Sequence, residues 1–466
     1  MNKLSTDALP DTTVAALRSS VDSSFPRTVE ELTSLVAIPG VAWAAFDPAE
    51  LDRSAEAVAA LVRSTGIEDV RILRVDNSGT PGGPAVVARR PAAAGKPTVL
   101  LYAHHDVQPP GARELWESEP FVAEERGGRL YGRGAADDKA GIMAHIAAFR
   151  AVTEVLGDEL GVGITLFIEG EEEAGSPTFR RFLDEHRELL QSDVIVVADS
   201  SNWKVGVPAL TTSLRGLVDG TIEVRVLEHA VHSGMFGGPV LDAPTLLARL
   251  IATLHDDDGS VAIDGLVSAD SAVVDYPETD YRADASVLEG VRLAGTGSLA
   301  SRLWTQPALS IIGIDAPSVA VSSNTLLPAA RAKFSLRLAP GQDPQEAMAA
   351  VERHVNANAP FGATVTFTPG ESGNPFSTDT TKPAAQMAMW ALRTAWGTDA
   401  VETGIGGSIP FIADLTEVYP DAQILVTGVE DPDSRAHSAN ESLHLGEFSR
   451  AVLAEALMLA RLDVGA

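Results

Sequence analysis

The chain has 466 residues, too many for one compact core, so two domains are expected. It is 45% hydrophobic and 21% charged, as globular proteins are, and it has no apolar run of about 18 residues to form a transmembrane helix. Its 35 Lys and Arg against 64 Asp and Glu give a net charge of −29, which repels phosphate backbones and argues against a nucleic-acid partner; with no cysteine, any metal must be held by His, Asp or Glu.

The opening MNKLSTDALP carries one Lys and no apolar stretch, so no secretory leader is expected and the cytoplasm is the expected compartment. The first ~40 residues read as helical, with a capped start at Thr28 and a stop at Pro39-Gly40. A second helix is predicted over 47–65, with Asp47 as its N-cap and Pro48 as its first residue. Short β-branched runs follow at 70–75, 85–89 and 98–102. A helix over 141–155, a strand at 163–168, a helix over 179–190 and a strand at 193–197 continue the alternation, which points to an α/β sheet with helices on both faces. From 218 to 227 apolar or small residues fall at every second position, as in an antiparallel strand with one wet face. A helix over 243–254, weakly periodic connections over 256–301, strands at 309–314 and 332–338, a helix over 344–357 and a strand at 364–368 complete this region. Helix 383–396, strand 423–427 and helix 446–462 return to the first pattern. The expected architecture is therefore α/β: a domain with a mixed, largely parallel sheet flanked by helices, built from residues 1–212 and 371–466, and interrupted by a small α+β domain over 213–370.

Four segments place acids or histidines mostly where an apolar strand ends. In Tyr102-Ala103-His104-His105-Asp106 the extended chain puts His104 and Asp106 on one face, where an Asp can orient a ligating imidazole. Asp137-Asp138 sit in a Gly-rich turn before a helix, a pattern that also fits a helix cap. Glu169-Gly170-Glu171-Glu172-Glu173 follows the apolar run 166–168, where a solvated charge run fits poorly because the acids repel one another. Asp199 follows 194–197, and His437 lies downstream of the late strand. In open α/β sheets ligands gather outside the carboxyl ends of the strands, so the first, third and fourth segments point to one crevice, which His437 can also reach. If His104, Asp137, Glu173, Asp199 and His437 converge, three carboxylates share a partly dry site and need cations. A His/carboxylate set without thiolate suits zinc, and also manganese or cobalt.

The sequence resembles the M20 metallopeptidase family, within it the cytosolic dipeptidase/carnosinase-like branch. The resemblance rests on AHHDVQPP, YGRGAADDKAG, EGEEEAGS, ADSSNW, HSGMFGG, KFSLRLAP, GGSIP and AHSANE, in the family's order over most of the chain. It implies a hydrolase with two zinc ions per subunit and a catalytic domain interrupted by a lid that also forms a homodimer. It implies further that His104 and Asp199 hold one metal, Glu173 and His437 the other, and that Asp137 bridges them. Asp106 would orient His104, and Glu172 would be the general base that passes a proton from water to the leaving amine. The bond between Asp137 and Asp138 would be cis. In the lid, His232 would reach the partner subunit's site and stabilise an oxyanion, Arg337 would grip the substrate's terminal carboxylate, and Ser408 would add a hydroxyl. Asn324 and Thr325 are further substrate-binding candidates.

The sequence departs from the branch at three places: Ala103, where Gly is common; His105, where Tyr is frequent; and Glu171, where Met is frequent. None removes a ligand. The expected activity is hydrolysis of dipeptides or very short peptides with a free carboxylate. An N-acyl amino-acid amidohydrolase would use the same groups, and a non-catalytic metal-loaded binding protein would lack the base that Glu172 supplies.

Overall fold

The computed structural model describes residues 9–407 and 410–464. It divides into two compact units: Met1–Thr212 with Thr378–Glu402 and Asp414–Ala466, and Ser213–Ser377 with Thr403–Ala413. The second is thus inserted in the chain of the first.

The first unit is built on a mixed sheet, with strands in the order Asp69–Leu73, Ala85–Arg90, Gly163–Glu169, Thr98–His104, Val194–Val197, Gln423–Val426 and Ala209–Leu214. The central four, from Gly163–Glu169 to Gln423–Val426, run parallel. Their carboxyl ends therefore share one edge, which is the edge that carries the acidic loops. Strand Gly163–Glu169 is buried along its whole length, and the run 99–104 likewise, because helices cover both faces. On one face Val99, Leu101 and Ala103 join the core with helices Asp11–Val36, Lys139–Leu156, Pro383–Trp396 and Leu445–Val464. On the other, Phe167 stacks on Phe179 and Phe182 of helix Phe179–Glu185, with Tyr102 edge-on.

Most predicted elements recur with shifted ends. Asp47 caps helix Pro48–Arg63 by accepting from the amide of Ala49. The predicted start at Thr28 is corrected: one helix runs Asp11–Val36 through Pro26, and the buried Thr28 hydroxyl donates back to the Ser24 carbonyl at 3.3 Å instead of capping. Among the described residues one helix, Lys139–Glu159, is long and apolar enough to cross a membrane, and 67% of its most apolar 18-residue window is buried inside the protein, as in a core helix.

The second unit has a four-stranded antiparallel sheet in the order Ala308–Asp315, Ala329–Leu338, Gly216–Arg225 and Thr364–Gly373. Val218, Ile222, Val224, Phe334 and Leu336 point to helices Ala243–Ala252 and Pro344–Ala357, while Asp219 and Lys333 pair at 2.9 Å on the opposite face. The period-two alternation of 218–227 is that of a sheet covered on one side.

Candidate metal centre

The four parallel strands deliver their following loops to one place, and the sequence in each loop fixes a donor. His104 is the last residue of its strand. Its Nδ1 donates to the Asp106 carbonyl at 3.1 Å, and that carbonyl can only accept, which leaves the Nε2 lone pair for a ligand. The Asp106 carboxylate lies 3.5 Å from the same Nδ1 and accepts the amides of Glu172 at 3.1 Å and Glu173 at 3.0 Å. Asp106 thereby ties the first loop to the acidic loop. His105 faces away and donates from Nε2 to the Pro84 carbonyl at 2.7 Å; burial pushes its pKa down to about 4, so it is neutral.

The Asp137 turn is held by Glu441. This buried carboxylate accepts the amides of Gly134, Ala136 and Asp137 at 3.1, 3.0 and 3.1 Å, and the Arg133 guanidinium at 2.5 Å. Glu441 was quoted in the AHSANE motif but given no role; only the fold brings it across to residue 137. The Asp137–Asp138 peptide is cis. Asp138 accepts the His104 amide at 3.2 Å and packs on Gly141, where a Cβ would lie 2.2 Å from its Oδ1; this close approach requires glycine. The Lys139 ammonium donates to the carbonyls of Leu35 and Ile38 at 2.9 and 2.7 Å, and burial lowers its pKa to about 7.

The two oxygens of Asp137 face two histidines. Oδ1 lies 3.1 Å from His104 Nε2, and Oδ2 lies 3.0 Å from His437 Nε2. His437 Nε2 is also 3.3 Å from Glu173 Oε2, and Glu173 accepts from the Gln108 side chain at 2.6 Å. His437 reaches in from an exposed loop at φ 61°, braced by Asn440, which accepts the amide of Glu117 at 2.8 Å. Asp199 groups with His104 and Asp138, so all five expected ligands lie in one neighbourhood. Asp138 enters that second set although the sequence reading gave it no ligand role. Glu172 Oε2 stands 3.9 Å from His104 Nε2.

Crowding sets the electrostatics. Burial, and then the like charges around them, push Glu172 and Glu173 up to about 8. Burial and the nearby Asp137 lift Asp199 to about 6, with His104 opposing. Burial opposes charge on His104, yet its bonds to Asp106 and Asp137 hold its pKa well above the ordinary value. The hydrogen bond to Asp137 raises His437 to about 9. Such mutual proton sharing is how a cation site of this composition behaves when only protons balance it. The donors fit metal ions. Ligands of a tetrahedral ion stand roughly 3.3–3.6 Å apart, close to the His104–Asp137–His437–Glu173 spacings. Asp137 holds one oxygen toward each histidine.

Glu171 finds its explanation here. Its carboxylate accepts the amides of Gly83 at 2.6 Å and Thr178 at 2.9 Å, so it ties down the loop and is no ligand. In the second unit His232 pairs with Thr325 in a short ladder, and the Asn324 carbonyl accepts the Ser233 amide at 3.0 Å, so these three candidates are neighbours. His232 is exposed and its Nδ1 accepts from the Gly234 amide at 3.0 Å. Arg337 lies on strand Ala329–Leu338. Arg215, unnoticed in the sequence, feels its charge: burial and Arg337 lower the Arg215 pKa to about 10 while its guanidinium donates to the Gly406 carbonyl at 2.9 Å. Ser408 lies outside the described residues.

The sequence profile of Peptidase family M20/M25/M40 matches residues 100–461. The chain belongs to that family. It is an M20-type metallopeptidase, as the sequence resemblance implied. It is 36% identical over 413 residues to a cysteinylglycine-S-conjugate dipeptidase of Corynebacterium striatum, covering 88% of this chain and 89% of the relative. It is 27% identical over 458 residues to a Cys-Gly metallodipeptidase of Saccharomyces cerevisiae, covering 92% and 94%. The crystal structure of human carnosine dipeptidase 1 superposes with a TM-score of 0.69 at 25% identity, covering 97% of this chain and 99% of that one.

Proposed function

We propose that this M20 peptidase hydrolyses the peptide bond of dipeptides and very short peptides in the cytoplasm. The carrying observation is the Asp137 carboxylate, whose oxygens lie 3.1 and 3.0 Å from two histidines on separate loops. The dipeptidases among its relatives support the substrate class. Residues 1–212 and 371–466 form the catalytic domain in this reading, and 213–370 the lid through which two subunits pair.

Two zinc ions, with manganese or cobalt as substitutes, would be held by His104 and Asp199, by Glu173 and His437, and by Asp137 between them. When bound they supply Lewis-acid polarisation of the carbonyl and lower the pKa of water. The chain's own groups do the rest. Asp106 holds the His104 ring and the amides of residues 172 and 173, so ligand and base share one support. Glu172 is half-buried, and its pKa is pushed up to about 8, so it readily holds a proton; it takes a proton from the attacking water and delivers it to the leaving nitrogen as the C–N bond breaks. Arg337 and Ser408 receive the free carboxylate, with Asn324 and Thr325 beside it, which limits substrate length. His232 donates to the developing oxyanion in the partner subunit. Its exposure, just before a short helix with the exposed Met235 and Phe236, supports a role across a dimer.

The test is metal analysis of the purified enzyme with a substrate panel. Two equivalents of metal, and kcat/KM for dipeptides above that for N-acyl amino acids by orders of magnitude, are expected. The opposite preference would make it a deacylase.

A further inference from the structure

The sheet of the second unit carries a row of cations on the face turned away from its helices. Val218 and Leu336 point to those helices, so the next residues along each strand, Leu217 and Arg337, which stand directly opposite each other, lie on the other face. Arg331 and Lys333 precede Arg337 on that face, at alternate positions of strand Ala329–Leu338, and each has an acid. Arg331 pairs with Asp315, and Lys333 pairs with Asp219 at 2.9 Å. Arg215 stands at the Arg337 end of this row, one residue before strand Gly216–Arg225, whose first residue pairs with Leu338.

Arg215 has no such acid. It is 8% exposed, and among the described residues no carboxylate lies within ion-pairing distance of it. The charge that acts on it is that of Arg337, of like sign. Its amide donates to the Ile405 carbonyl at 3.2 Å, and its guanidinium donates to the Gly406 carbonyl at 2.9 Å and the Arg302 carbonyl at 3.4 Å. Gly406 lets the guanidinium lie this close, since a Cβ there would meet a terminal nitrogen of Arg215 at 2.8 Å. Two of the five guanidinium N–H groups are thereby used, and the other three have no acceptor among the described residues. Neutral carbonyls explain a donor at this position but not a charge. A buried guanidinium beside a second one is costly unless an anion joins them. In a chain with 64 acids against 35 cations, an arginine left without an acid leaves room for one that a ligand supplies.

We propose that Arg215 receives a second carboxylate, carried by the side chain of the substrate's C-terminal residue, so that dipeptides ending in Asp or Glu are preferred. This rests on the dipeptidase reading, in which Arg337 takes the terminal carboxylate, and deepens it. Diagonal neighbours on adjacent strands start about 7–8 Å apart, and side chains as long as arginine converge from there. The two carboxyl carbons of a terminal Asp or Glu are three or four bonds apart, so one residue can meet both guanidiniums. Asn and Gln offer the same shapes without the charge.

The experiment compares Ala-Glu with Ala-Gln on metal-loaded wild type and Arg215→Gln. The wild type is expected to favour Ala-Glu in kcat/KM, mainly through KM, and Arg215→Gln to lower the ratio of Ala-Glu to Ala-Gln roughly 10- to 100-fold. Metal content stays unchanged, and Arg215→Lys recovers part of the preference. Both substrates are read on one preparation, so a smaller folded fraction cancels from the ratio. A wild type without preference for Ala-Glu overturns the inference while the dipeptidase reading stands. An unchanged ratio in Arg215→Gln does the same, and loss of both activities in equal proportion shows that Arg215 only ties down the turn at Gly406. A wild type inactive on both dipeptides overturns both readings.

Discussion

The two units present their candidate residues differently. In the first, His104, Asp106, Asp138 and Glu173 are buried, and each is held by at least one protein hydrogen bond. In the second, His232 and Asn324 are exposed and Thr325 and Arg337 half-buried, on a short ladder and a strand of a sheet covered on one side. The buried set is held in one geometry by those bonds. The second set is more open to solvent than the first. Changes in the first should therefore alter metal content and rate, and changes in the second should alter substrate affinity.

The largest effect should come from chelation, which is expected to remove activity entirely, with zinc restoring it; activity surviving exhaustive chelation breaks the comparison at its root. Glu172→Gln should reduce kcat by about 100- to 10,000-fold with two metals still bound, measured by steady-state kinetics and elemental analysis. Gly141→Ala should force Asp138 aside, since the new Cβ meets its Oδ1 at 2.2 Å. A loss of about 10- to 100-fold in metal affinity is expected, because Asp138 supports His104. Arg337→Ala should raise KM for dipeptides about 10- to 100-fold with metal content intact. A loss of metal there would show that the two units do not divide the work as argued.

The smallest effect concerns stability behind the site. His145 donates from Nε2 to the Tyr102 carbonyl and from Nδ1 to Glu455, each at 2.9 Å, so both ring nitrogens carry protons. Burial opposes that charge, but Glu455 raises the folded-state pKa above the ordinary value. A raised folded pKa contributes stability that is whole below about pH 6.5 and is lost as pH climbs through the folded value. His145→Gln should therefore cost about 1–3 kcal/mol at pH 6 and less at pH 9, by denaturant unfolding.

Much of the site was legible because its residues follow buried strands. An apolar run such as 166–168, ended by acids, announces both the strand and the crevice at its carboxyl end. His145 serves structure, bonded at both ring nitrogens. What escaped were residues whose role depends on a distant partner and that carry no motif of their own. Glu441 looks like any acid until the fold sets it under residues 134–137. Glu171 looked like surplus charge until the amides of Gly83 and Thr178 met it. Arg215 carries no local signature at all.

By itself the sequence determined the α/β architecture, the interrupting α+β region, the family and the donor types, because hydrophobic period, turn residues and the chemistry of His and carboxylate are local properties. Only the tertiary structure decided which groups face one another: that Asp137 opens an oxygen to each histidine, that Asp106 holds the His104 ring and the amides of Glu172 and Glu173, and that Glu441 sits under residues 134–137. Those are distances between segments up to three hundred residues apart, and they follow from strand order and burial, which no single stretch of chain contains.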